Sequence, residues 1–206
     1  MPNLIIENKV QQIGLINNLN KIQYSDSPIL RLFDIFFSLT GIIFLSPIFI
    51  IAMLAIFFED GRPIFYGQER VGRNSKIFKI WKFRSMVKDA EKKSGAVFSH
   101  EKDDRITHAG KILRATAQDE LPQIFNILRG DMSIVGPRAE RPVFVKKFRE
   151  EIPHYDNRHK IRPGLTGIAQ VFGRYNTEAK NKLRFDLVGV KNILLSSGLF
   201  LLSHQP

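Results

Sequence analysis

A chain of 206 residues holds one domain of ordinary size, with room for an anchor and a tail. Its 44% hydrophobic content supports a real core, and its formal charge of +11 calls for an anionic partner: nucleic acid, anionic lipid headgroups or nucleotide phosphates. The sequence has no cysteine, which excludes disulfides, thiolate zinc sites and a cysteine nucleophile and fits a cytosolic or cytosol-facing domain.

Residues 1–28 are polar, rich in Asn and Gln, and lack the basic-then-apolar order of a cleavable signal. They read as a loosely ordered tail, with a short docking helix around Ile13 to Leu19 left open. From Ile35 to Phe58 no residue is charged, whereas Arg31 and Asp34 precede the run and Glu59, Asp60 and Arg62 follow it. As a helix it would be roughly 36 Å long, enough for a hydrocarbon core of about 30 Å. A helix apolar on all sides would be hard to cover in so small a domain, so residues 29–60 read as a membrane segment. Pro47 lacks an N–H and crowds the carbonyl of Ile43, which predicts a kink at Ser46-Pro47; the Ser46 hydroxyl can satisfy the freed backbone. A kinked span and a helix that bends and returns to the same face both fit. Arg62, Arg70, Arg73, Lys76, Lys79, Lys82 and Arg84 follow the run and place residues 60–206 in the cytoplasm, while Lys21 and Arg31 leave the N-terminal side undecided.

Beyond Gly61-Arg62-Pro63 the pattern is mixed. Pro63 to Tyr66 and Ile77 to Phe83 read as short strands, the second apolar in part on both faces. Lys88 to Lys93 reads as a charged helix, followed by a polar stretch to Asp104. Thr107 to Ala115 and Leu121 to Leu128 read as helices, the latter closed by Arg129-Gly130. Glu140 to Glu151 has helical spacing, and Gly136-Pro137, Pro163-Gly164, Gly167 and Gly173 punctuate the rest.

The acidic pair Asp119-Glu120 is the candidate for chemistry. A structural role accounts for it at first sight: Asp119 caps the following helix, and Pro122 sits where a missing N–H does no harm. A helix N-terminus also attracts phosphate, and a carboxylate held ionised there can act as a nucleophile toward phosphorus. Glu120 points about a third of a turn away. The two therefore cannot flank one bond as glycosidase carboxylates do, but one can attack while the other holds a hard divalent ion. Lys82 and Arg84 end a strand, and Arg114 lies on the helix before Asp119. Arg138 follows the Gly136-Pro137 turn, where a guanidinium can meet a diphosphate in bidentate fashion. Pro163-Gly164-Leu165-Thr166-Gly167 is a loop that permits close approach of backbone to ligand. His100, His108, His154, His159 and His204 show no metal-ligand spacing and read as surface or packing residues.

Taken together, six blocks resemble the bacterial sugar transferases, the monotopic phosphoglycosyl transferases. They are Ser46-Pro47; Gln68-Glu69-Arg70-Val71-Gly72; Phe78 to Met86; Asp119 to Asn126; Gly130 to Arg138; and Arg162 to Gln170, in the family's order. The resemblance covers residues 30 to about 192. It implies a small α+β, mainly helical cytosolic catalytic domain (61–206) on a re-entrant membrane helix broken at Ser46-Pro47. It also implies that Asp119 attacks the phosphate nearest the sugar of a UDP-sugar, releases UMP, and passes the phosphosugar to polyprenyl phosphate. Glu120 matches the family's Mg2+ ligand. Lys82, Arg114 and Arg138 match positions associated with phosphate or nucleotide, and with Arg84, Thr166 and Gln170 they are the expected substrate-binding residues. The implied setting is the bacterial inner membrane with the catalytic domain facing the cytoplasm, its lipid a partner and a homodimer left open. The sequence departs from the family at Ala139, at Phe172 and from Val188 to Pro206, where a closing helix is expected to be missing. A membrane-anchored basic scaffold that binds lipid or another enzyme is the competing reading. Nucleic-acid binding explains the charge but neither the apolar run nor the carboxylates.

Overall fold

The computed structural model describes residues 28–90, 103–172 and 179–202. The expected tail, with its helix around Ile13 to Leu19, lies outside them, as do Gly173 and the part of the expected Lys88–Lys93 helix beyond residue 90. Residues 88–90 themselves form a turn, with Asp89 at φ 60°.

The apolar run forms one helix, α1 (Pro28–Asp60), which carries Pro47 inside it. The missing Pro47 N–H leaves the Ile43 carbonyl oxygen without its helical donor, and the Ser46 hydroxyl donates to it at 2.8 Å. The expected break at Ser46-Pro47 is therefore not an end of the helical run. Its dyad instead mends the backbone locally. Among the described residues, α1 is long and apolar enough to cross a membrane. Its buried residues are Asp34, Ser38, Ala52 and Ile56, and large side chains such as Phe36, Ile43, Phe44, Ile51 and Phe58 stay exposed. That excludes the core helix of a water-soluble domain.

Both ends of α1 are fastened to the rest of the chain. At its start Arg31 donates to the carbonyls of Ile127 and Leu128 (both 2.6 Å), while Asp34 accepts from Ser133 Oγ and Ile134 N–H (both 2.9 Å). At its end Glu59 accepts from the N–H groups of His108 and Ala109, and Arg84 pairs with Asp60. Between them Ala52 and Ile56 pack with Phe83 and Leu113.

β1 (Phe65–Val71) and β2 (Ile77–Phe83) form an antiparallel hairpin in the register Phe65↔Phe83 to Val71↔Ile77. The expected strand Pro63 to Tyr66 thus runs on through Gln68-Glu69-Arg70, because β2 offers a partner along its whole length. α2 (His108–Ala115) begins at Thr107, whose Oγ1 accepts from Gly110 N–H at 3.0 Å. Any Cβ on Gly110 would collide with the Ser85 carbonyl oxygen, so only glycine lets α2 approach the end of β2 so closely. α3 (Gln123–Arg129) ends at Gly130 in a left-handed conformation, φ 95°.

Two further strands, β3 (Ser133–Val135) and β4 (Gly164–Thr166), pair in parallel, Ser133↔Gly164 and Val135↔Thr166. α4 (Pro142–Glu151) precedes the Tyr155–Lys160 turn, and α5 (Ile168–Phe172) follows β4. The expectation of a chain without a closing helix is corrected by α6 (Ala179–Leu202). Its face Leu183, Leu187 and Val190 enters a core with Val71, Val145 and Ile161, at the helical spacing that buries one stripe. Small α+β architecture, mainly helical, is what the structure shows.

Replacing Asp34 by alanine strands the Ser133 hydroxyl and the Ile134 N–H at the start of β3. Asp34→Ala is expected to lower stability by about 1–3 kcal/mol, read as a lower thermal midpoint in detergent. An unchanged midpoint would show that α1 is not held at this end.

Candidate active site

β2 lies between two apolar clusters, and its alternation decides where its cations point. Phe83 faces α1 with Ala52, Ile56 and Leu113, whereas Ile80 faces Ile127 and Met132. Lys82 is two residues on from Ile80 and so leaves the strand on the Ile80 side. One buried side chain fixes α3 to the outer edge of the same strand. Asn126 Nδ2 donates to the Lys79 carbonyl at 2.8 Å, and its Oδ1 accepts from Trp81 N–H at 3.0 Å. Lys82 and the residues that lead into α3 are thereby held in register.

Those residues are the acidic pair. After α2 the chain turns at Ala117 (φ 55°) into a single 3-10 turn, Gln118–Glu120. Asp119 is not the cap of α3: Pro122 occupies that position and no side chain caps there. Capping thus does not account for this buried carboxylate, and α3, at seven residues, gives the expected helix-dipole attraction little length to act through. Side-chain cations take that part. Glu120 Oε1 accepts from Lys82 Nζ at 2.6 Å and from Arg138 Nη2 at 2.8 Å, and Lys82 Nζ also lies 3.7 Å from Asp119 Oδ2.

The two carboxylates are pushed apart. Burial raises the pKa of Asp119 above the usual aspartate range; Lys82 opposes this, the Glu120 charge adds to it, and Arg114 and Arg138 oppose it more weakly. Burial acts on Glu120 in the same upward sense, but the charges and hydrogen bonds of Arg138 and Lys82 outweigh it and bring the group down to about 2. Glu120 is thus a fixed anion, and Asp119 the more basic of the pair, the division expected of two acids with separate roles.

Beside the pair is a small surface cleft whose lining includes Arg70, Lys82, Gln123, Arg138, Ala139 and Gly164. Hard oxygen donors and clustered cations at one cleft suit a phosphorylated ligand. Alongside this geometry, a family model for bacterial sugar transferases matches residues 25–204. The chain belongs to the bacterial sugar transferases.

Its similarity to individual members is substantial. It is 41% identical over 165 residues to a UDP-N-acetylgalactosamine-undecaprenyl-phosphate N-acetylgalactosaminephosphotransferase of Aeromonas hydrophila, covering 79% of this chain and 39% of that protein. With the exopolysaccharide production protein PSS of Rhizobium leguminosarum it shares 42% identity over 147 residues, 69% of this chain and 73% of the relative. A UDP-glucose:undecaprenyl-phosphate glucose-1-phosphate transferase of Klebsiella pneumoniae is 35% identical over 199 residues, 91% of this chain and 42% of that protein. The chain therefore spans less than half the length of two of these relatives and most of the third. The family match extends through α6, across the region where the sequence departs from expectation.

In this bacterial sugar transferase, Lys82, Asp119, Glu120 and Arg138 converge. Arg114 donates through Nε to Ser85 Oγ at 2.8 Å, and its charge reaches Asp119. Arg84 is not brought to the cluster. Its Nη2 is turned to the carbonyls of Asp60 and Gly61 and to the Asp60 carboxylate, so it holds the end of α1. Thr166 and Gln170 do not line the cleft. Thr166 accepts the Gly136 N–H through its carbonyl at 2.9 Å and so holds the start of the turn that carries Arg138, while Gln170 Nε2 donates to the Leu165 carbonyl within its own segment. Of the expected departures, Ala139 is buried in the cleft wall and Phe172 is exposed at the end of α5.

Arg70 and Gln123 were not singled out from the sequence. Arg70 donates to the Ala139 carbonyl at 2.8 Å and to Gln68 Oε1 at 2.6 Å. The Gln68 to Gly72 block was the available signal for Arg70, and the place of Gln123 in the Asp119 to Asn126 block was the signal for it; its burial shows only in the structure.

Lys82 is the first of the charges that lower the Asp119 pKa, so its removal should raise that pKa further. Lys82→Met is expected to shift the Asp119 carboxyl titration upward in carbon-13 NMR. A downward or absent shift would show that Lys82 does not govern the pair.

Proposed function

We propose that the chain moves a sugar-1-phosphate from a UDP-sugar to undecaprenyl phosphate, releasing UMP through a covalent phosphosugar on Asp119. The observation that carries this reading is a buried, relatively basic Asp119 beside Glu120, with Lys82 and Arg138 converging on the pair. Two of the relatives named above act, by their names, on undecaprenyl phosphate, one with UDP-N-acetylgalactosamine and the other with UDP-glucose. Their sugars differ, so the donor sugar of this chain is identified by UMP release across a panel of UDP-sugars.

Asp119 Oδ attacks the phosphorus nearest the sugar. The new O–P bond forms as the bond to the UMP oxygen breaks, and UMP leaves with that electron pair. A phosphate oxygen of undecaprenyl phosphate then attacks the same phosphorus, the Asp119 O–P bond breaks, and the carboxylate is restored. Arg138, partly exposed, and Lys82 neutralise charge on the diphosphate. Neither step needs a proton, which suits a site whose cations are Lys and Arg.

Mg2+ fits the donors present. No group of three or more metal-binding side chains exists among the described residues, but two adjacent carboxylates, one of them ionised down to about 2, match an ion held by protein on one side and substrate phosphates on the other. Glu120 would hold it, with Asp119 free for attack. The ion would supply charge neutralisation at the diphosphate. Glu120 would exchange part of its contact with Lys82 and Arg138 for the ion, freeing both to meet phosphate.

The domain sits at the cytoplasmic face of the bacterial inner membrane, with α1 entering and leaving on that face. The support is mechanical: the charged groups at both ends of α1 are held by the same small domain. A helix crossing the bilayer would put those ends on opposite sides of a hydrocarbon core about 30 Å thick, where one small domain cannot hold both. The cysteine-free sequence makes introduced cysteines unique reporters. Ile29→Cys and Arg62→Cys are expected to react with an impermeant maleimide from the cytoplasmic side alone. Labelling from opposite sides would overturn the re-entrant arrangement.

Asp119→Asn is expected to cut UMP release at least about a thousandfold. The wild-type protein, given UDP-sugar without acceptor, should gain the mass of a phosphosugar on the peptide containing Asp119. Full activity in the variant would remove the nucleophile assignment. Because the pKa of Asp119 is raised, donor-dependent kcat/KM should fall as pH drops through a value above 3.8. Glu120, still ionised there, contributes no limb.

A further inference from the structure

Arg158 takes no part in the chemistry above, yet its side chain is only 5% exposed. It lies in the Tyr155–Lys160 turn. Its Nε and Nη2 donate to Asp186 Oδ2 at 2.9 and 2.7 Å, and its Nη1 donates to the Tyr155 hydroxyl at 2.9 Å. Nη2 also donates to the backbone carbonyl of Arg138 at 2.9 Å. Asp186, 2% exposed, belongs to α6.

The segment that receives this last bond has little structure of its own. Between β3 and α4, residues 136–141 contain neither helix nor strand. Four successive carbonyls there are each held by a different donor. Gly164 N–H serves Pro137, Arg158 serves Arg138, Arg70 serves Ala139, and Val71 N–H serves Glu140. Only the Arg158 bond falls on the residue whose guanidinium reaches Glu120.

We infer that Arg158 is a positioning residue for Arg138, and that Asp186 extends this support to α6. The inference rests on the reading of Arg138 as a ligand of the donor phosphates. Arg138 is gripped at its backbone from behind while its side chain spans the cleft. Loss of the rear contact lets the root of the side chain drift without removing any group from the site. Lysine at position 158 keeps the charge opposite Asp186 but cannot reproduce the fork that serves Asp186, Tyr155 and the Arg138 carbonyl together.

The test is a double-mutant cycle on the full chain in lipid nanodiscs, read as donor kcat/KM for UMP release, with thermal midpoints measured alongside. Arg158→Lys should lower kcat/KM about tenfold in the wild-type background, the loss of one hydrogen bond from a charged group. In the Arg138→Ala background the same change should cost less than about twofold, because the residue it acts through is gone. Equal losses in both backgrounds would overturn the inference and leave Arg158 as a fold element. Should Arg158→Lys fail to fold, Tyr155→Phe carries the same cycle, with about a threefold loss expected in wild type and none beside Arg138→Ala. If the wild-type protein releases no UMP from any UDP-sugar, the functional reading fails instead. The cycle is then read on UDP binding by calorimetry, with the same criterion.

Discussion

The Glu120 carboxylate is the joint on which the site depends. It accepts from Lys82 on β2 and from Arg138 after β3, and it is itself carried by the turn between α2 and α3. Three segments remote in sequence meet at one anion. Removing it would leave Lys82 and Arg138 without the anion they share, with Asp119 nearest to Lys82 and Glu140 also acting on Arg138. Its pairing also shapes Asp119. Because Glu120 takes the short contacts, Asp119 is left with a longer one, 3.7 Å to Lys82, and with a like charge next door. Burial raises its pKa, the Glu120 charge adds to the rise, and the longer contact with Lys82 opposes it only in part. One interaction thus makes a fixed anion of one acid and a more basic group of its neighbour.

The membrane helix is part of the same construction. Its terminal charges satisfy backbone groups of other elements: Arg31 serves the last carbonyls of α3, Asp34 the start of β3, and Glu59 the first N–H groups of α2. These are the unsatisfied ends that every helix presents. The elements so served bear or adjoin Asp119, Arg138 and Arg114. An anchor attached by a flexible linker would leave the active site indifferent to the bilayer. Here the exposed face of α1 is apolar while its buried residues meet the elements around the acidic pair, so the apolar helix and the site geometry belong to one construction.

Much of this was legible in the sequence because local chemistry fixed it. Ile77 to Phe83 falls where its alternation puts it, and the expected Thr107 to Ala115 helix is observed as His108–Ala115 with Thr107 as its cap. The Ser46 bond to the Ile43 carbonyl is what Pro47 demands. The sequence leaves Asp119 open to a cap as well as to a site, because a carboxylate before a Pro-started helix looks the same in either role; Ala117 in a left-handed conformation, which no periodicity signals, makes the difference. Arg84 follows Lys82 by two residues at the end of a strand, and only the tertiary path of α1 decides that Asp60 claims it. The closing helix was missed because the sequence departs from the family from Val188 onward, although Leu183, Leu187 and Val190 form the stripe that buries its first half.

The buried Arg158–Asp186 pair shows what apolar packing could not achieve. Taking both charges out of water costs several kcal/mol each in order of magnitude, and a well-packed apolar pair in their place is often neutral or better for stability. Stability is therefore a poor account of the pair. An apolar side chain at position 158, however, has nothing to donate to the Arg138 carbonyl or the Tyr155 hydroxyl. A guanidinium serves both and still needs an anion beside it, which Asp186 provides. Once that carbonyl must be held, the arginine follows, and once the arginine is buried the aspartate follows. The helix that carries Asp186 is then tied to the cleft by chemistry as well as by its apolar stripe.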